Sequence, residues 1–217
     1  MSKLAVIAMV GAFGALVAAG LSCLLTQSAR QMRLDPTPLP RPRIHAPYIP
    51  SPDNVVDVML ETAQIRKEDL VFDLGCGDGR LVIGAAKKFG CHGVGFDKDP
   101  QRIKEAQAKV VENGVEELVR IEEADVFTVD LSNADVVLMY LLPWMIQELI
   151  PQFADLKPGS RIVSHDFFIE GIQADDEIEI FVGTQQERHV AYLYVTPLKR
   201  DGGKERGREG ARERGSD

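Results

Sequence analysis

The chain has 217 residues, 45% of them hydrophobic, which is enough to bury one full core and makes a single globular domain with accessory segments the expectation. Its net charge of −8 is unevenly placed: residues 1–43 carry +4 and the tail from Lys199 carries +2, leaving −14 on residues 44–198. So acidic a middle binds polyanions poorly, which disfavours nucleic acid and favours a basic protein partner, although solubility alone would also account for it.

Leu4 to Leu25 is a run of 22 uncharged residues that as a helix would span about 33 Å, close to the hydrocarbon thickness of a bilayer. Residues 1–33 therefore read as a membrane anchor. A cleaved signal peptide is the rival reading, since Lys3 precedes the run and small residues lie near its end. The run is longer than a usual signal core, and Gly20 rather than leucine stands third before Cys23. Arg30, Arg33, Arg41 and Arg43 follow the run, so the positive-inside rule puts the rest of the chain on the cytoplasmic, or equivalent interior, side. Seven prolines between Asp35 and Pro52 forbid a continuous helix and predict a semi-rigid linker over 34–51.

Val55, Val56, Met59, Leu60 and Ala63 recur at helical spacing, so residues 52–66 open the domain as an amphipathic helix. The apolar strand pattern of 70–74 then runs into Asp73-Leu74-Gly75-Cys76-Gly77-Asp78-Gly79-Arg80 and a helix over 79–89. Alternate glycines let backbone turn sharply and approach a ligand, and the helix that follows aims its first N–H groups at the same place. The next strand, 93–97, ends in Asp97, 22 residues after Gly75, the spacing of a ribose-binding acid at the tip of a second strand. Pro100 and Asn113-Gly114 punctuate a helix over 100–113. Strands at 119–123, 134–141 and 161–165 and a helix at 144–154 continue the alternation, and 176–182 with 189–196 read as an antiparallel pair. The fold class is α/β: a Rossmann-like, seven-stranded, mostly parallel sheet with helices on both faces, an antiparallel last strand and an N-terminal transmembrane helix. The domain is expected over 52–198. The tail, 199–217, has five glycines and twelve charges and is expected to be disordered. Three cysteines without a C-x-x-C pair support neither a disulfide framework nor a zinc cluster, and no metal is expected.

The glycine loop and its two downstream acids resemble the class I methyltransferases that use S-adenosylmethionine (SAM), over roughly residues 47–197. The resemblance implies that Asp73, Gly75, Cys76, Gly77, Asp78 and Gly79 surround the methionine part of SAM. It further implies that Asp97 with Lys98 binds the ribose and that Asp125 with Val126 lies near the adenine. Cys76 reads as a small-space filler rather than a nucleophile. Tyr140-Leu141-Leu142-Pro143 ends the fourth strand, and neither an Asn/Asp-Pro-Pro-Tyr/Phe run nor a Pro-Cys pair stands there, so base methylation lacks its usual chemistry. Together with Pro47-Tyr48-Ile49-Pro50-Ser51-Pro52, Leu156-Lys157-Pro158-Gly159 and the apolar N-terminus, this motif resembles the membrane-anchored lysine methyltransferases related to those of the mitochondrial ADP/ATP carrier and the c ring of ATP synthase. That resemblance implies lysine methylation of a basic or membrane-associated protein.

A free lysine has a pKa of about 10.4, so presenting it as a neutral amine at pH 7 costs roughly 4.6 kcal/mol. Desolvation beside a positive sulfonium supplies part of this without a dedicated base, and in-line alignment supplies much of the rest. Tyr48 and Tyr140 are the expected pocket walls that orient the amine, with His165 and Asp166 as assistants or rim. Two other outcomes fit the same sequence: a small-molecule methyltransferase acting on a lipid or quinone, and a SAM-binding protein without turnover.

Overall fold

The computed structural model describes residues 48–201. The expected anchor, most of the linker and most of the tail lie outside the described residues. Among the described residues no helix is long and apolar enough to cross a membrane.

The expected helices form, and a short turn of 3₁₀ helix joins them. In chain order the elements are α1 (Asp53–Thr62), β1 (Leu70–Leu74), α2 (Arg80–Phe89), β2 (His92–Asp97), α3 (Pro100–Glu112), β3 (Val119–Glu123), the 3₁₀ turn (Val126–Thr128), β4 (Val136–Met139), α4 (Pro143–Phe153), β5 (Arg161–His165), β6 (Asp176–Val182) and β7 (Glu187–Val195). The seven strands form one sheet in the order β3-β2-β1-β4-β5-β7-β6. Pairing is parallel from β3 to β5, and β7 runs antiparallel to both β5 and β6. The order reverses between β1 and β4, and open α/β sheets bind their ligands at such a point, beyond the carboxyl ends of the strands.

Period-two alternation sorts the side chains onto two buried faces. Phe72, Leu74, Val137, Met139 and Ile162 face α4, whose Ile146, Leu149 and Phe153 pack onto them. Val71, Val136, Leu138 and Val163 face the other way, against Val55, Met59 and Leu60 of α1 and Leu81 and Ala85 of α2. Each fully buried aliphatic side chain of this kind contributes roughly 1.5–3 kcal/mol. Asp73 shares the parity of Val71 and so turns toward α2, into the core rather than toward water. In β2, an added Cβ on Gly93 would lie 2.3 Å from Val82 Cγ2, so the absence of a side chain there is what lets α2 sit close to the sheet.

The boundaries depart from expectation in instructive ways. The fourth strand is expected over 134–141 and covers only Val136–Met139. Ala134 N–H closes a turn onto the Leu131 carbonyl, and Tyr140 to Leu142 leave the ladder to lead into α4, where Pro143 sits at the first turn. The first helix ends at Thr62 rather than 66. Tyr48 to Ser51, read as linker, pack on the domain instead: Ser51 is buried and its carbonyl accepts from Arg80 Nη1 at 2.6 Å. The first tail residues are also held, since Lys199 O accepts from Gln173 N–H at 2.8 Å and Asp201 N–H donates to Gly171 O at 2.9 Å.

Candidate active site

The glycine loop is built as a cradle. Gly75, Gly77 and Gly79 have φ of 75°, 54° and 78°, the left-handed region that residues with a Cβ rarely adopt. Gly75 N–H and Cys76 N–H both donate to Phe96 O, at 2.8 and 2.9 Å, which pins the loop to the end of β2. Leu141 lies against Gly75, where an added Cβ would stand 2.9 Å from its Cδ2, so the end of β4 borders the same cradle. Cys76 is buried below it, with Sγ occupying the space left by Gly95, and burial pushes the thiol well above its ordinary pKa. It packs and is not poised as a nucleophile.

The acids divide by task. Asp97 Oδ2 accepts from Gly77 N–H and its Oδ1 from Asp99 N–H, both at 2.9 Å, so the carboxylate fixes the loop while keeping lone pairs for further donors. Lys98 is exposed at the bend beyond it. Asp78 turns into an ion cluster, accepting from Arg80 Nε at 2.9 Å, Arg80 Nη2 at 2.8 Å and Lys109 Nζ at 2.5 Å. Burial opposes its ionisation, yet the Arg80 and Lys109 hydrogen bonds outweigh that and hold the carboxyl below the usual range. Asp125 caps the 3₁₀ turn by accepting from Phe127 N–H at 3.1 Å, and Val126 is buried beside it.

Asp73 differs from all of these. It is buried, Val82 N–H bonds its carboxyl, and Oδ2 has no hydrogen-bond partner among the described residues. Burial raises its pKa to about 8, against the Val82 bond and with help from the charges of Asp97 and Asp78. An unmatched buried acceptor beneath a glycine cradle, flanked by Asp97, fits a ligand that brings positive charge and hydroxyl donors. SAM has a sulfonium, an ammonium and two ribose hydroxyls, so the residues present fit it.

The two expected pocket tyrosines occupy different ends of the crevice. Tyr48 lies on the glycine loop, where a Cβ on Gly77 would meet its ring at 2.4 Å, and the Arg102 guanidinium stands 4.6 Å from the ring centroid. Partial burial and then Asp78 raise its pKa. Tyr140 stacks beside His165 with ring centroids 4.0 Å apart. Desolvation and then the Asp166 charge raise the Tyr140 pKa. Ser51 joins the two ends, with its carbonyl on Arg80 and its Oγ 2.9 Å from His165 Nδ1.

His165 and Asp166, expected as assistants or rim, form a group with His189 in which His165 is buried and the other two are partly exposed. His165 Nε2 lies 3.0 Å from His189 Nδ1 and 3.3 Å from Asp166 Oδ2, and His189 Nδ1 lies 3.0 Å from the same oxygen. Burial holds the His165 pKa well below its ordinary value, against the opposing pull of Asp166. Neither Ser51 nor His189 has a role assigned from the sequence. Ser51 stands inside a quoted motif, but nothing in the spacing couples His189 to His165; the β5–β7 register does, by setting His165 opposite Ala191.

A family model described as an ANTKMT methyltransferase domain matches residues 73–176. A protein-lysine N-methyltransferase of Saccharolobus islandicus (strain REY15A) is 44% identical over 153 residues, which cover 70% of this chain and 94% of that protein. A ribosomal protein L11 methyltransferase of Sodalis glossinidius is 40% identical over a shorter stretch of 93 residues, covering 42% of this chain and 31% of its own length. Among solved structures, an RNA methyltransferase from Salinibacter ruber in complex with S-adenosyl-L-homocysteine superposes with a TM-score of 0.63 at 41% identity, over 69% of this chain and 94% of that one.

Proposed function

Since this chain belongs to the family of SAM-dependent methyltransferases that includes the Saccharolobus protein-lysine enzyme, we propose that its acceptor is a lysine side chain of a protein. The observation that supports this reading most is the 44% identity to that enzyme across 94% of its length. The Salinibacter relative, similar to the same degree, is described as acting on RNA, so the two names point to different acceptors. The charge of −14 on residues 44–198 favours protein, because an acidic surface repels a phosphate backbone and attracts a lysine-rich segment.

When bound, SAM supplies an electrophilic methyl group on a sulfonium. This chain's residues hold it and prepare the acceptor. Gly75 to Gly79 and Asp97 form the cradle, and Asp73 offers a carboxylate for its positive groups. Tyr140, stacked on His165, is held as a wall at the end of β4 where an amine would arrive. Excluding water there lowers the cost of presenting that amine unprotonated, and a fixed wall aligns it. We propose further that residues 1–33 attach the protein to a membrane, with the domain on the interior side, so that membrane-associated proteins are the nearest acceptors.

The test incubates the full chain with methyl-labelled SAM and three separate materials from cells lacking the gene: a membrane fraction with its lipids, soluble proteins and total RNA. A protein band labelled by the wild type but not by Asp97→Ala, with the methyl mapped to lysine, is the expected result. Label confined to RNA would sink the lysine reading in favour of the Salinibacter description; label confined to the lipid extract would move the acceptor to a small molecule.

A further inference from the structure

We propose that His165, Asp166 and His189 form a binding site for one divalent first-row transition-metal ion. Their facing atoms, His165 Nε2, Asp166 Oδ2 and His189 Nδ1, stand at the corners of a triangle with edges of 3.0, 3.0 and 3.3 Å. Hydrogen bonds cannot satisfy this triangle. Each edge needs a proton directed along it, each imidazole nitrogen brings at most one, and the carboxylate oxygen brings none. At least one edge therefore sets two lone pairs, or two N–H groups, against each other. One cation held by all three lone pairs relieves every edge at once.

The dimensions suit that cation. Ligand atoms about 2.1 Å from an ion and separated by such edges subtend about 90–105° at it, the facial arrangement of two histidines and one carboxylate. Two imidazole nitrogens with one oxygen select Zn²⁺ or its first-row neighbours over Mg²⁺ or Ca²⁺. The supporting contacts are in place as well. Ser51 Oγ can accept from His165 Nδ1–H at 2.9 Å, which leaves Nε2 unprotonated toward the triangle. Asp166 Oδ1 accepts from Val190 N–H at 3.0 Å, which leaves Oδ2 to face the triangle. Asp166 adopts φ of 60°, a left-handed conformation uncommon for any residue with a Cβ, which turns its carboxylate back onto β7. The side chain of His165 has no exposed surface, whereas those of Asp166 and His189 keep 23% and 18%, so an ion has an approach from solvent.

Positive charge fixed there disfavours the ammonium form of an amine beside Tyr140. That consequence rests on the acceptor reading above; the binding of the ion does not.

Tag-free full-length protein, stripped with EDTA, is dialysed to equilibrium against Zn²⁺ and, separately, Mg²⁺. The expected result is one zinc per chain, no magnesium, and a rise in melting temperature with zinc. His189→Ala and Asp166→Asn should each weaken zinc binding by at least about tenfold, and Ser51→Ala by about tenfold through the loss of orientation of His165. Asparagine tolerates the left-handed backbone, so Asp166→Asn probes the ligand in a folded protein even if another variant unfolds. Failure of the wild type to take up zinc, or equal uptake by wild type, His189→Ala and Asp166→Asn, would overturn the proposal.

Discussion

Asp73 carries the largest electrostatic tension in the cradle. Its folded pKa of about 8 stands above the 3.8 of an ordinary aspartate, so the folded protein binds its proton more tightly than the unfolded chain does. The stability tied to that proton is fully present below about pH 4 and is lost as pH rises through about 8. Asp73→Asn removes this dependence. Relative to wild type, the ligand-free variant should gain stability between pH 5 and 8, at up to about 1.4 kcal/mol per pH unit, and urea unfolding across that range measures it. Equal slopes for the two proteins would mean that Asp73 is ionised in the free protein. Asp97 is the counterpart with opposite logic, already satisfied by two backbone N–H groups. Asp97→Ala should weaken SAM binding tenfold or more, about 1.4 kcal/mol, because it removes a ligand acceptor and releases Gly77 together; calorimetric titration would show it. Affinity equal to wild type would remove Asp97 from the site.

The pairing of β2 with α2 rests on a residue with no side chain. At Gly93 a methyl group would stand 2.3 Å from Val82 Cγ2, and the stiff, β-branched valine has little room to yield. Gly93→Ala should therefore destabilise the fold by about 1–3 kcal/mol, read as a lower urea midpoint with unchanged slope. A variant as stable as wild type would show that α2 can shift outward freely. The strands β1, β2, β3 and β5 are legible in the sequence because alternation and bounding turns agree there. The fourth is legible too, but not its end: Tyr140, Leu141 and Leu142 continue its apolar pattern while leading into the next helix, and pattern alone does not separate a strand from the apolar turn that follows it. His189 is beyond reach for another reason, since its partner is 24 residues away and only the antiparallel register joins them.

For the molecule as a whole, charge decides more than shape. A domain of −14 sets up a field that speeds encounter with basic partners and that salt screens. Methylation of a lysine-rich protein acceptor should slow as ionic strength rises from about 0.05 to 0.5 M, mostly through KM, and a rate indifferent to salt would exclude steering by this surface. Composition makes that field visible at once, and the glycine loop with Asp97 marks the cradle proposed for the cofactor. The proposed acceptor end is far less legible, because Tyr140, β5, β7 and a stretch whose prolines look like spacer come together only in the fold. That stretch matters mechanically. Ser51 is held by Arg80 on one side and His165 on the other, so the segment that enters the domain is fixed to both at a single buried residue. One residue thus ties the glycine-loop side to the histidine group, and a substitution at Ser51 is felt at both.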